Sequence, residues 1–409
     1  MHRAEARGHP ESDRLPPLSM ESVAGLAAVA SFYTGDLGIL RLALQLLVMV
    51  IVGLLLLRDV NRPLGYAGGG TGRSIALALL SIAFVGVFLS FALSLGRGLS
   101  VNDVGVFLLQ GVVAVLILLS RGRERLALAV GSWAVAFGLL DAVANLMGVA
   151  GLIDIQAPVR RIDGELEFAY PGLSGSTLGG GFVAFAAVCR LALAAQRPGA
   201  IRWISWLLVL LLLVSLDLIA ARRYFGLALV AITLFLFWRP FSRIGLQWVS
   251  LWVAALFLGL TFTASEGDTG NVLRGLLMLN GVERALEQPI VGRGPTYFVL
   301  DDRTANFIDL AEAGVTESQL LDFAISYGML SALCFLFAIL LALAVQQGSN
   351  RKYPAIVLTC LTAELFFGGT LASLAGTLLF YGSLGACLEP ATKAAPFRRS
   401  GARPEAIAT

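Results

Sequence analysis

The chain has 409 residues, of which 57% are hydrophobic and only 14% charged, with a formal net charge of +3 and a mean hydropathy of +0.81. A soluble core of this size does not need such a composition, and the sequence reads as a polytopic membrane protein with the lipid bilayer as its surroundings and no nucleic-acid partner. A helix needs roughly 20 apolar residues to cross about 30 Å of hydrocarbon, and the apolar runs here are continuous rather than alternating, so the expectation is a helical bundle and not a barrel.

Residues 1–18 are polar, charged and Pro-bearing, without the apolar core of a cleavable signal, and are expected to form a disordered cytoplasmic arm. The membrane domain, 19–390, then offers spans at roughly 20–34, 36–57, 74–96, 101–120, 126–150, 176–195, 202–221, 224–240, 244–264, 319–345, 354–368 and 370–388. These make twelve, with both termini on one side. The connections on that side carry Arg58, Arg62, Arg73, Arg121, Arg123, Arg125, Arg190, Arg197, Arg202, Arg239, Arg243, Arg351 and Lys352, and the positive-inside rule makes it the cytoplasmic one. Residues 391–409 form a basic cytoplasmic tail suited to anionic lipid head groups. The fold class expected is therefore all-α, a membrane bundle of about twelve helices.

All four cysteines, Cys189, Cys334, Cys360 and Cys387, fall inside predicted spans and read as buried thiols, not disulfides or metal ligands. His2 and His9 both lie in the N-terminal arm, so no histidine is placed to act as a base in the membrane or on the outer face. Neither a metal motif nor a nucleotide loop is present, because Gly68–Gly70 and Gly179–Gly181 lack the strand context of a phosphate cradle. The second run, at the start of a span, is better read as a close packing point than as a site of lipid access. No cofactor is expected.

Chemistry should sit in the two large outer loops, 151–175 and 265–318. The second carries Arg274, Arg284, Arg293 and Arg303 beside nine acids. Arginine forks grip phosphate oxygens, but lysine is scarce everywhere, at Lys352 and Lys393 alone, so composition accounts for each loop arginine equally well. More informative are Arg222 and Arg223, in an almost absent loop just after Asp217. Two guanidinium groups at the membrane edge are costly unless paired or solvated, and mark either a phosphate site or a pair snorkelling to the interface. Asp141 and Glu364, inside spans, either line a polar cavity or pair with another helix, and read best in the structural role, as partners between helices.

Within the second loop, 274–288 has the pattern of an amphipathic helix with Leu273, Leu276, Leu277 and Leu286 on its apolar side, broken by Pro289 and the run Gly292, Arg293, Gly294, Pro295. A short helix over 307–313 should end at Gly314. Thr316 to Gln319 then matches a capping box that opens the next span and puts Glu317 in the first helical position. A helix N-terminus favours the ionised carboxylate, so Glu317 is either a proton acceptor or simply an acid complementing the dipole.

Three local patterns resemble the superfamily of bacterial O-antigen polymerases and ligases (Wzy/WaaL-like), which includes exopolysaccharide polymerases. Arg274 followed by Pro289 to Pro295 is similar to its run from an arginine through an amphipathic helix to a Pro-x-x-Gly-x-Gly turn. Glu317, Ser318, Leu320, Leu321, Tyr327 and Gly328 resemble its segment in which a His-Asn pair opens a span, with Tyr-Gly about ten residues on. Arg161 to Gly181, with Pro171 and Gly172, resembles the loop before a middle helix, and Arg222 or Arg223 falls where the family begins a helix with arginine. The likeness covers roughly 160–381. Arg161–Gly172 and Arg303–Gly314 also share a spacing found in some polymerases, but about three such pairs arise by chance in this composition, so spacing carries no weight.

The resemblance implies a GT-C-like polymerase/ligase architecture with a large helical periplasmic loop, in the bacterial inner membrane. It implies an undecaprenyl-diphosphate-linked oligosaccharide as donor and acceptor, and a chain-length regulator and a flippase as pathway partners. Arg222, Arg223, Arg161 and Arg303 would hold the diphosphate, with Arg274 and Glu317 catalytic. Glu317 stands where ligases carry histidine, which favours a polymerase. Ligase-type transfer to another acceptor, a lipid-linked oligosaccharide transporter and a non-catalytic subunit of an assembly complex are the alternatives. A transporter would usually show repeated halves, which the sequence lacks.

Overall fold

The computed structural model describes residues 19–34, 38–59, 70–96, 111–155, 157–160, 166–170, 172–174, 177–262, 269–294, 318–346, 351–368 and 373–389. In chain order its helices are α1 (Met20–Ala30, extended by a 3-10 turn Ser31–Tyr33), α2 (Gly38–Asp59) and α3 (Thr71–Gly96). A stretch at 111–119 is α4. There follow α5 (Arg123–Val149), α6 (Thr177–Ala194), α7 (Ala200–Leu218), α8 (Arg222–Leu236), α9 (Trp238–Ile244), α10 (Leu246–Phe262) and α11 (Thr269–Glu287). The last four are α12 (Gln319–Tyr327), α13 (Met329–Val345), α14 (Lys352–Glu364) and α15 (Leu374–Leu388).

One element departs from the all-α expectation. Strands β1 (Ala157–Arg160) and β2 (Leu166–Ala169) pair antiparallel in the first outer loop, with Ala157 opposite Ala169. The sequence between them contains Asp163-Gly164, a strong hairpin-turn signal.

Among the described residues, three helices are long and apolar enough to cross a membrane: Thr71–Leu95, Arg123–Val149 and Ala200–Leu218; α8 and α9, bent by 99° at their junction, make a fourth as a pair. That is fewer than the twelve expected, because the other apolar helices are shorter, among them Leu178–Ala194, Met329–Val345 and Leu374–Leu388. Among the long helices, α7 has an apolar outward face: Trp203, Ile204, Leu207, Leu210 and Val214 form one exposed stripe along it. Contiguous apolar surface of that extent does not face water comfortably.

At the centre stands α5, packed against α1, α6, α7 and α15. Its buried face is built from small residues, among them Ala127, Gly131, Ala134, Gly138 and Ala142, which let neighbouring backbones approach closely. A Cβ at Gly138 would already touch Leu212 at 3.3 Å and Ala187 at 3.4 Å. The four cysteines are buried and free, as expected.

The helix ends sort into two levels. At one, Arg58 meets Glu21 (3.4 Å), Lys352 donates to Gln196 (3.2 Å), and Arg123 and Arg351 share Glu389 (2.7 and 2.9 Å). Arg123 is only 1% exposed and also donates to the Leu118 carbonyl (2.6 Å). Space for it exists because Gly385 of α15 has no side chain; a Cβ there would overlap the Arg123 Cδ. At the other level, the Tyr33 hydroxyl donates to Asp141 (2.6 Å) and the Tyr170 amide to the Leu218 carbonyl (2.9 Å). The arginine-rich level holds the segments expected to be cytoplasmic.

Candidate functional site

The short turn between α7 and α8, residues 219–221, sets the site. Ala220 adopts φ 59°, the one non-glycine among the described residues with positive φ, a conformation costing an L-residue about 1–2 kcal/mol. The Ala220 amide bonds back to Asp217 (2.9 Å) and the Ala221 amide to Leu216 (3.1 Å), so α8 starts at once with Arg222 and Arg223. Successive helical residues diverge by about 100°, and the pair separates accordingly: Arg222 is exposed and Arg223 half-buried.

Arg223 turns toward the end of α14. Its Nη1 donates to the Phe367 carbonyl (3.2 Å), its guanidinium lies 5.0 Å from the Tyr224 ring centre, and Phe367 is stacked on Phe257 at 4.4 Å. Gly368 closes the gap: a Cβ there would overlap the Glu364 carboxylate and lie 3.1 Å from Arg223 Nη1. Glu364 is fully buried. Expected as a partner between helices, it proves to be a neighbour of the site arginine, which hydropathy within its own span does not reveal.

The same turn receives α12. The Gln319 amide donates to the Gly368 carbonyl (3.0 Å), the Leu320 amide to Leu365 (2.9 Å), and the Ser318 hydroxyl to Leu365 (3.3 Å). The carbonyls of the turn that follows α14, those of Leu365, Phe367 and Gly368, are thus taken up by Arg223 and by the opening of α12. Two helix N-termini, those of α8 and α12, converge on this point, and their dipoles favour negative charge.

This geometry corrects the expected capping box. Ser318, not Thr316, is the N-cap: its backbone is extended (φ −129°, ψ 112°) and its Oγ accepts from the Leu321 amide. An extended Ser318 cannot continue a helix begun at Thr316, so Glu317 precedes the helix and loses the first-turn position assigned to it. Glu317 itself lies outside the described residues, as do Thr316, Gly314, the 307–313 helix, Arg161, Arg303 and Pro295. Arg274 lies in α11, which packs on α12. On that helix Leu277, Met278 and Ala285 are buried whereas Leu276 and Leu286 are 59% and 61% exposed; two of the four leucines expected on the apolar side thus face outward, while Ala285 packs on Ala324 and Ile325 of α12.

The glycine turn after α11 is the second feature. Expected as one span over 319–345, the chain instead breaks at Gly328 (φ 92°, ψ 147°) between α12 and α13. The turn 289–294 docks on that break through three backbone hydrogen bonds: Arg293 amide to Ile325 carbonyl (2.8 Å), Gly294 amide to Ser326 (3.0 Å) and Leu330 amide to Pro289 (3.0 Å). Ser90 of α3 adds a bond to the Ser326 carbonyl (2.7 Å). Glycine is required on both sides. A Cβ on Gly292 would lie 2.6 Å from the Gly328 amide, and one on Gly328 would overlap the Ile290 carbonyl. Arg293 pairs with Glu287.

The third pattern also has a structural place. Asp141 accepts from the Leu173 amide (2.8 Å) as well as from Tyr33, and so clamps the 172–174 turn onto α5. Gly181 packs on α8: a Cβ there would lie 2.6 Å from the Tyr224 ring and 2.8 Å from Ala221. The packing reading of Gly179–Gly181 holds at that residue.

Among known proteins, no family model matches this chain and no curated protein does so.

Proposed function

We propose that the protein is a membrane glycosyltransferase that polymerises undecaprenyl-diphosphate-linked oligosaccharide repeat units, an O-antigen or exopolysaccharide polymerase. What carries the reading is the interlock of two of the resembling patterns: the Pro289–Gly294 turn and the Tyr327-Gly328 break, about 35 residues apart in sequence, are bonded backbone to backbone, and α12, which Ser318 opens and that break ends, shares the 365–368 turn with Arg223. Part of this reading is a GT-C-like bundle of twelve spans in the bacterial inner membrane, with both termini cytoplasmic and the site on the outer face.

In this mechanism an acceptor sugar hydroxyl attacks the donor's anomeric carbon from the side opposite the diphosphate. The new C–O bond forms as the old one breaks, the lipid diphosphate leaves with the bonding pair, and the anomeric centre inverts. Negative charge grows on the leaving group, so cations at head-group depth stabilise the transition state more than the ground state. Arg223 suits that role: a guanidinium has five N–H donors, and Phe367 takes one of them. Arg222, and Arg161 and Arg303 from the loops, would complete the cluster, with Arg274 beside the reacting centre. Glu317, directly before Ser318, takes the hydroxyl proton.

The test uses purified protein and a lipid-diphosphate-linked repeat oligosaccharide with no other acceptor. A ladder of lengthening glycans is expected on a gel. Transfer only after a lipid A core is added would replace polymerase by ligase, and silence in both, with a control polymerase active, would end the glycosyltransferase reading.

A further inference from the structure

At the arginine-rich level, away from the site above, helices α6 to α9 and the start of α14 line an open cavity of about 470 Å³. Its wall carries three cations, Arg202, Arg239 and Lys352, together with Gln196, Trp206 and Trp238, and no carboxylate is among the described residues that line it. Local structure explains the gathering. Gly199, at φ 92°, precedes the first turn of α7 and so sets the position of Arg202. The 99° bend between α8 and α9 buries Trp238 and brings Arg239 to the same cavity. Lys352 Nζ is oriented by the Gln196 amide oxygen (3.2 Å), and Gln196 is itself fixed by donating to the Phe235 carbonyl (2.9 Å).

Three like charges around one cavity create a local positive potential, which an anion placed between them would neutralise. Arg202 and Arg239 are exposed, so the anion has open access. The surroundings say what else it carries: Ile201, Trp203, Ile204 and Leu207, on the α7 surface beginning beside Arg202, are all exposed, and tryptophans at such a polar–apolar border are characteristic of the membrane interface. A ligand that is anionic at one end and apolar at the other satisfies both halves.

We propose that this cavity binds the phosphate head group of an anionic phospholipid, with its acyl chains along the exposed face of α7. The proposal rests on the protein's residence in a membrane and not on glycan transfer, so a failed polymerase assay leaves it standing.

Native mass spectrometry of the full-length protein, titrated with dioleoylphosphatidylglycerol or dioleoylphosphatidylcholine, tests it. Phosphatidylglycerol is expected to bind at least about tenfold more tightly, since surface electrostatics favours each added cation–anion contact. The variant Arg202→Gln/Arg239→Gln/Lys352→Gln should lose that preference. Arg125→Gln/Arg243→Gln, which removes exposed arginines at the same level but outside the cavity, should keep it. Equal binding of the two lipids, a folded triple variant with its preference intact, or equal loss in the control pair would each overturn the site. Glycerol 3-phosphate binding as tightly as phosphatidylglycerol would overturn the lipid assignment in favour of a soluble phosphate. If the triple variant does not elute as one species, Arg239→Gln alone, on the exposed side of α9, should lower the preference severalfold, and an unchanged preference there refutes the proposal.

Discussion

Gly328→Ala should open the clamp between the glycine turn and the α12–α13 break. Gly328 sits at φ 92° and ψ 147°, a region used almost only by glycine, where another residue costs about 1–3 kcal/mol. The added methyl also overlaps the Ile290 carbonyl, and because that neighbour is backbone the two segments must part. Their three hydrogen bonds are then lost at about 1 kcal/mol each. The total, about 4–6 kcal/mol, shifts the local opening equilibrium by on the order of 10³ to 10⁴. Hydrogen exchange in detergent-solubilised protein reads it directly, at the amides of Arg293, Gly294 and Leu330. Gly53→Ala is the control: nothing stands within 4 Å of that Cβ position, and a helical alanine there should stabilise by about 0.5–1 kcal/mol. Unchanged protection of the three amides in Gly328→Ala would refute the clamp and remove the chief support for the functional reading.

Arg223→Ala should slow ladder formation by about 10- to 100-fold, as expected when charge-assisted donors worth about 1.5–3 kcal/mol are lost; Arg223→Lys should be nearly as slow, because lysine lacks the planar fork. Full recovery by lysine would reduce the role to a point charge. Glu317→Gln is expected to keep donor binding while turnover falls by roughly 10² to 10⁴, and wild-type turnover would exclude Glu317 as the base. Asp141→Ala strands the Tyr33 hydroxyl and the Leu173 amide, for about 2–5 kcal/mol of lost stability. In a thermal-unfolding cycle with Tyr33→Phe the two changes should be non-additive, and additivity within about 0.5 kcal/mol would break the inferred pairing.

Helix positions were legible because hydropathy is a local property. The stretch expected at 126–150 is Arg123–Val149, and that expected at 176–195 is Thr177–Ala194. The kinks were not legible. Trp238 ends an apolar run and is followed by Arg239 and Pro240, which mark a boundary but not a bend of 99°, and Gly328 lies in an apolar stretch where a single glycine normally rides inside a helix; at Gly328 the Ile290 carbonyl, from another segment, lies against the break. Likewise, Thr316 and Ser318 are both good N-caps, and the choice falls to Ser318 because the Leu365 and Gly368 carbonyls wait beside it. Arg223 was found as a charge at a span's edge. Glu364 reads as a partner between helices, but no local pattern ties it to Arg223 in particular.

The burial of Arg123 has a consequence for how the chain is made. Its charge is matched by Glu389, 266 residues further on, and by a groove that only the glycines of α15 provide. At translation rates of about 5–20 residues per second, roughly 13 to 50 s separate the synthesis of the two. Throughout that interval the central helix carries an arginine whose partner beyond α15 is not yet made, so the Arg123–Glu389 contact forms only after the whole membrane bundle up to α15 has been synthesised.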